Sequence, residues 1–216
     1  MHSKLGSEIQ ARRRWGNNNV RCFRWLSSSP TIYLPGCRTN LSMVVAVGRY
    51  TGVWYETYRY EQFQQLGGDC VTATYTLEDG VVKVLNRMVL LGTAIQIQGT
   101  VAVAPDAEGG GKLIVTFPSV SEYFLTNAVS PYWVLKTDYK SYALVYVCAD
   151  ISNNRKRVSS WILSRTAILP PQAIIAMNEK IEATEGLNWE TYRQTKQNEK
   201  ACELRNSTTT TPNPST

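Results

Sequence analysis

Histidine is almost missing from this 216-residue chain: the single one, His2, stands at the extreme N-terminus. A mechanism that relies on a positioned imidazole, as base, relay or zinc ligand, is therefore not expected. Long apolar runs are missing as well. The longest near the start is only Met43 to Val47, far short of the ~18 residues of a membrane-spanning helix, and no apolar core of a secretory signal is visible. Charge excess is missing from most of the chain. The formal net charge is +6, yet residues 1–38 hold seven basic side chains and one acidic one, and residues 39–216 hold sixteen of each. A basic face for nucleic acid is not expected from so even a balance. Gly-rich phosphate loops, metal-ligand clusters and nucleophile–base pairs are absent too, so no enzyme activity, catalytic residue, metal or built-in cofactor is expected.

What is present is material for a core, 43% apolar against 19% charged residues. The composition divides the chain into three parts. Residues 1–34 form an Arg- and Ser-rich leader with no periodic apolar pattern, broken by Asn17-Asn18-Asn19 and Ser27-Ser28-Ser29-Pro30; it reads as an atypical N-terminus outside the fold. Residues 35–204 form one domain, and 205–216 a Ser/Thr/Pro tail that should be disordered.

Inside the domain, short alternating runs are separated by turn signals. Val71, Ala73, Tyr75 and Leu77 share one face of a strand, with threonines on the other. Glu78-Asp79-Gly80 supplies a tight hairpin turn, and Val81–Met88 returns with Val82, Val84 and Met88 inward. Thr93–Ala104 carries Ile95, Ile97, Val101 and Val103 on one face, and Gly99 in its middle suggests a bend or bulge. Lys112–Phe117, Tyr132–Thr137, Tyr142–Cys148 and Val158–Arg165 follow; with an opening strand at Trp54–Glu61 they make eight. Eight strands with short connections favour an all-β, antiparallel, up-and-down barrel, whose closure removes exposed edges. Such a barrel has room for one small ligand. Pro170-Pro171 then opens a helix with Ile174, Met177 and Ile181 as its apolar stripe, expected to pack outside the barrel.

Three separated motifs make the chain similar to the lipocalin family, in the branch of apolipoprotein D and the insect bilin-binding proteins. They are Gly52-Val53-Trp54-Tyr55-Glu56, Thr137-Asp138-Tyr139 and Trp161-Ile162-Leu163-Ser164-Arg165. The resemblance implies that Gly52, Trp54, Thr137, Asp138, Tyr139 and Arg165 close the barrel, with Arg165 across the Trp54 ring as a cation–π lid. Five cysteines leave one odd, and four paired ones allow three connectivities. The resemblance implies Cys37–Cys148 and Cys70–Cys202, which leaves Cys22 in the leader. Two bridges require an oxidising compartment. Asn40-Leu41-Ser42 and Asn206-Ser207-Thr208 are glycosylation sequons, so a secreted, extracellular protein is expected.

Strand alternation places Leu163, Trp161 and Ser159 on the inward face with Arg165. The resemblance implies that Tyr75 and Trp161 are pocket aromatics. Ala73, Val84, Ile95, Ile97, Val101 and Val115 are expected to complete an apolar wall. Such a wall fits a fatty acid, a sterol, a retinoid or a bilin pigment. A small hydrophobic ligand is then the expected partner, with peripheral contact to a lipid surface as a further one and no receptor identifiable. The second reading is an antioxidant or stress-protective protein that meets oxidised lipids through surface residues, its methionines Met43, Met88 and Met177 acting as sacrificial reductants.

Overall fold

The protein is seen in a computed structural model that describes residues 23–24, 46–60, 65, 67–105, 107, 110–118, 128–150 and 156–205. Cys22, Cys37, Asn40, Met43 and Asn206 lie outside the described residues, as do most of the leader and the tail.

A two-residue strand β1 (Phe23–Arg24) and a single helical turn α1 (Val47–Tyr50) precede the barrel. Its strands are β2 (Gly52–Arg59), β3 (Asp69–Glu78), β4 (Val81–Leu90), β5 (Thr93–Val103), β6 (Lys112–Phe117), β7 (Ala128–Thr137), β8 (Tyr142–Asp150) and β9 (Lys156–Ser164). Each pairs antiparallel with the next, and β9 pairs back onto β2, so the eight-stranded sheet is closed. β1 lies outside this closure, parallel to the end of β8. The β3–β4 turn is the predicted hairpin, with Asp79 and Gly80 both at positive φ (50° and 78°), the backbone that a two-residue primed turn requires.

Gly99 makes no bulge. The β4–β5 register runs unbroken from Val82↔Val101 to Leu90↔Thr93. The glycine serves close packing: a Cβ there would stand 2.5 Å from the Thr116 carbonyl and 2.7 Å from the Phe117 ring. The bulge lies in β2, between Glu56 and Tyr58. It resets the alternation, so that Glu56 and Arg59 oppose Leu163 and Trp161 and share their inner face.

Helix α2 (Pro171–Glu182) starts with proline in its first turn, where a missing N–H costs nothing. Its buried stripe is Ala173, Met177 and Ile181, and Ile174 is turned outward. These side chains meet Trp133, Leu144, Tyr146 and Ile162 on the outer face of the barrel. Full burial of a side chain such as Met177 contributes about 1.5–3 kcal/mol. It also removes Met177 as a surface reductant; Met88 lies on the inner face of β4, its sulfur crowding Gly68.

After α2, a 3₁₀ turn at Trp189–Thr191 leads to β10 (Arg193–Gln194) and the short α3 (Glu199–Cys202). β10 pairs with the end of β2 beyond the stretch of β2 that pairs with β3. The chain from Arg193 to Gln197 thereby fills a seam between β2 and the start of β3. The Thr195 N–H donates to the Thr57 carbonyl, the Cys70 N–H donates to the Lys196 carbonyl, and the Gln197 amide donates to the Glu56 and Val71 carbonyls. A Cys70–Cys202 disulfide spans 132 residues and ties this segment to β3. Cys148 is disulfide-bonded too.

Candidate functional site

One end of the barrel is sealed by the three motifs. The buried Trp54 donates its indole N–H to the Tyr50 carbonyl (2.8 Å). The Arg165 guanidinium lies over the other side of this assembly, 3.7 Å from the Trp54 ring centroid. It donates to the carbonyls of Val53 (2.9 Å), Thr51 (2.9 Å) and Tyr139 (3.2 Å). Burial lowers its pKa from the ordinary arginine value, which still leaves it charged. Gly52 is required here: its φ is +96°, and a Cβ would stand 3.1 Å from an Arg165 nitrogen.

The Thr137-Asp138-Tyr139 turn abuts the same end. Asp138 accepts from the N–H groups of Lys140, Ser141 and Tyr142 (3.0, 2.8 and 3.0 Å) and from the Ser141 hydroxyl. Partial burial pushes its pKa upward, but these donors outweigh it and the carboxyl titrates below the ordinary aspartate value. This carboxylate is committed to the backbone of its turn and does not face a reactive partner. Tyr139, at φ +66°, presents its carbonyl to Arg165 and its hydroxyl to the Ala46 N–H.

Above this floor stand three tyrosines that the alternation pattern did not single out as a group. The Tyr75 hydroxyl donates to that of Tyr132 (2.9 Å), which is also bonded to the Tyr50 hydroxyl (3.0 Å). The Tyr50 and Tyr75 rings meet edge to face at 5.2 Å. Burial is the main reason that all three phenols ionise well above their ordinary value.

A second group that sequence reasoning missed lies on the inner face of β2. Glu56 and Arg59 are both buried and form an ion pair at 2.7 Å. The Glu56 carboxylate also accepts from the Thr195 hydroxyl (2.6 Å) and the Gln65 amide (2.9 Å). Arg59 donates further to the carbonyls of Gln65 and Gly68, both at 2.8 Å. The signal in the sequence was two opposite charges three residues apart on the opening strand; only the bulge reveals that both point inward.

The expected wall residues share the inner face but not the same surroundings. Val84, Val101, Val115 and Leu163 lie in a tightly packed cluster with Trp54, Val134 and Val145, and Tyr75 belongs to it. They are core first. Ala73, Ile97 and Trp161 are half-buried, and Ile95 is 39% exposed, so it stands at the rim instead of in an enclosed wall. Trp161 packs on the inner cluster with Tyr132 and Phe117 and donates its indole N–H to the Gln65 side chain (2.9 Å). Ser159 faces inward beside them and is buried. On β4 and β5 exposure therefore rises along the inner face, from Val84 and Val101 to Met88, Ile97 and Ile95 near the β4–β5 connection, whereas Glu56, Arg59 and Ser159 on β2 and β9 are buried.

A family profile described as a lipocalin-like domain matches residues 45–197. The chain is a lipocalin. Among similar curated proteins, apolipoprotein D of Oryctolagus cuniculus is 37% identical over 140 residues, which cover 63% of this chain and 69% of that protein. Insecticyanin-A of Manduca sexta is 31% identical over 144 residues, covering 64% and 74% of the two chains. The solved structure of insecticyanin from this hornworm superposes with a TM-score of 0.73, at 24% identity, over 81% of this lipocalin and 94% of that chain. Lobster apocrustacyanin A1 superposes at 0.60, with 23% identity over 71% and 80%. At these identities the structural neighbours establish the fold, a closed lipocalin barrel with its helix outside.

Among the described residues no group of His, Cys, Asp and Glu could hold a metal ion, and no helix is long and apolar enough to cross a membrane.

Proposed function

We propose that this lipocalin carries a small, mainly apolar molecule in the half of its barrel away from the Trp54–Arg165 floor. The observation that carries this reading is the set of half-exposed apolar side chains on the inner face above the sealed floor. Trp54, Val84, Val134 and Val145 are sealed, while Ala73, Ile97, Phe117, Tyr132 and Trp161 are accessible in part. Half-exposed apolar side chains on the concave face of a closed barrel border a space that a ligand can fill. Membership of the lipocalin family supports the same reading. Trp161 and Tyr75 form its aromatic contacts, with Ala73, Ile97 and Ile95 toward the rim and Val84, Val101, Val115 and Leu163 supporting it from below. Fatty acids, sterols, retinoids and linear tetrapyrroles all have suitable size and polarity.

The compartment belongs to this reading. The Cys70–Cys202 bridge, with Cys148 bonded as well, needs oxidising surroundings, so the carrier works outside the cell. Titration of the disulfide-intact protein with oleic acid, cholesterol, retinol and biliverdin, followed by tryptophan fluorescence, tests the proposal. Saturable quenching by at least one is expected; no saturable binding by any of them overturns it.

A further inference from the structure

We propose that the outward face of α2 is a docking groove for the chain's own basic N-terminal segment, with Trp15 seated between Ile174 and Ile175 and the Arg12–Arg14 triplet against Glu179 and Glu182. This docking lies outside the barrel and is independent of the carrier reading.

Helix α2 turns Ala173, Met177 and Ile181 onto the barrel. Its other two isoleucines have no such cover. Ile174 is 38% and Ile175 77% exposed, and Ile168, just before the helix, is 81% exposed. Residues four apart lie side by side on a helix, so Ile174, Asn178 and Glu182 form one row and Ile175 and Glu179 the next. These five side chains line a shallow groove. Asn178 accepts from the Trp189 indole N–H (2.8 Å) and donates to the Glu182 carboxylate (2.7 Å), which holds that charge beside the groove. The Glu179 carboxylate is exposed and has no ion-pair partner among the described residues. Isoleucines beside carboxylates suit an occupant that is both apolar and cationic.

The chain holds such a segment. Residues 11–24 carry Arg12, Arg13, Arg14, Arg21 and Arg24 and no acidic residue, and Trp15 directly follows the arginine triplet. Residues 39–216 have no net charge to offer. The segment is also tied close to the helix. β1 pairs parallel with Ala149 and Asp150, so its direction leads back toward the level of Cys148 and Tyr146 on β8. Those two side chains belong to the outer-face cluster with Met177 and Ile181. Trp15 stands eight residues before Phe23, a reach of up to about 28 Å. The twelve residues of α2 extend only about 18 Å, so the whole helix is within that reach. A second copy of α2 would set carboxylate against carboxylate, and an anionic lipid surface meets the same repulsion. The arginines are the better match.

The test uses the full disulfide-intact chain. With photoreactive benzoylphenylalanine in place of Trp15, irradiation is expected to crosslink residues 174–182 of the same chain, read by peptide mass spectrometry of the monomer. Limited trypsin digestion gives an independent reading. Cleavage after Arg12, Arg13 and Arg14 should be slow at low salt and faster at high salt, which screens exposed charge pairs. Glu179→Lys combined with Glu182→Lys should accelerate that cleavage roughly fivefold at low salt. Glu190→Lys, an exposed charge change outside the groove, should leave it unchanged, with thermal midpoints close to the parent's throughout. A crosslink to another copy or to another face, no crosslink, or equal cleavage rates in the parent and the Glu179→Lys, Glu182→Lys protein would overturn the docking, and so would an equal acceleration by Glu190→Lys. The carrier reading stands in every one of these cases.

Discussion

The Arg165 guanidinium lies 3.7 Å from the centre of the Trp54 ring and is held there by backbone carbonyls on both sides of it, Val53 and Thr51 from one segment and Tyr139 from another. One side chain therefore joins the beginning of β2, the β7–β8 turn and the end of β9. A fourth carbonyl, that of Arg49, accepts from the same guanidinium at 3.4 Å, and the charge of the Asp138 carboxylate acts on it as well.

Arg165→Ala removes the cation–π contact and leaves those carbonyls facing a gap. A loss of roughly 2–3 kcal/mol of stability is expected. Arg165→Lys should recover little of it, because an ammonium cannot reach the separate carbonyls as the planar fork does. Urea denaturation of the three proteins decides this; an Arg165→Ala midpoint equal to the parent's would remove the lid from the account.

Most of this arrangement was legible in the sequence, for a physical reason. Strand alternation and turn chemistry are local signals, so all eight strands and the Asp79-Gly80 hairpin could be read residue by residue. Met177 and Ile181 of the helix stripe were read correctly, and only Ile174 was taken for Ala173, because both fit a helical period. The buried Glu56–Arg59 pair was illegible because a bulge in β2 changes the phase of the alternation, and at that bulge the Thr57 carbonyl accepts from Thr195 of the distant C-terminal segment. The link between the Tyr75 and Tyr132 hydroxyls is likewise a contact between distant strands that no local period encodes.

That tyrosine cluster makes a prediction about alkali. The phenols of Tyr50, Tyr75 and Tyr132 have folded-state pKa values above the unfolded value of about 10. Their contribution is fully present below pH ~10 and is lost as pH rises through the raised folded-state values. Burial also raises the phenol pKa values of Tyr60, Tyr142, Tyr146 and Tyr192, so absorbance titration should show seven of the twelve tyrosines lagging, with Tyr50, Tyr75 and Tyr132 following only as circular dichroism reports unfolding. Smooth ionisation of every tyrosine in a folded protein would contradict the cluster.

Trp161 makes the corresponding prediction for function. It is half-buried on the inner face and is tied to Gln65 through its indole N–H, whereas Trp54 is sealed in the floor. Ligand quenching should then fall mainly on Trp161. Trp161→Ala should weaken binding of an apolar ligand by about 1–3 kcal/mol and leave the barrel folded. Unchanged affinity in Trp161→Ala, with saturable binding retained, would move the ligand elsewhere.

The C-terminal segment is expected to act as part of the barrel wall and not as an appendage. Thr195 and Gln197 satisfy Glu56 from the seam between β2 and β3, Thr195 at the side chain and Gln197 at the backbone carbonyl. The Cys70–Cys202 bridge holds the segment there. Cys202→Ser should cost roughly 2–4 kcal/mol, the range for a bridge that closes a long loop. Thr195→Val keeps the shape but takes one donor from a buried carboxylate, and should cost about 1–3 kcal/mol on its own. The two changes act on one seam, so they should not add: once the bridge is gone and the segment can leave, losing the Thr195 hydroxyl should matter less. A double-mutant cycle measured by urea denaturation checks this directly. Strict additivity of the two losses would mean that the bridge and the Glu56 network stabilise the barrel independently.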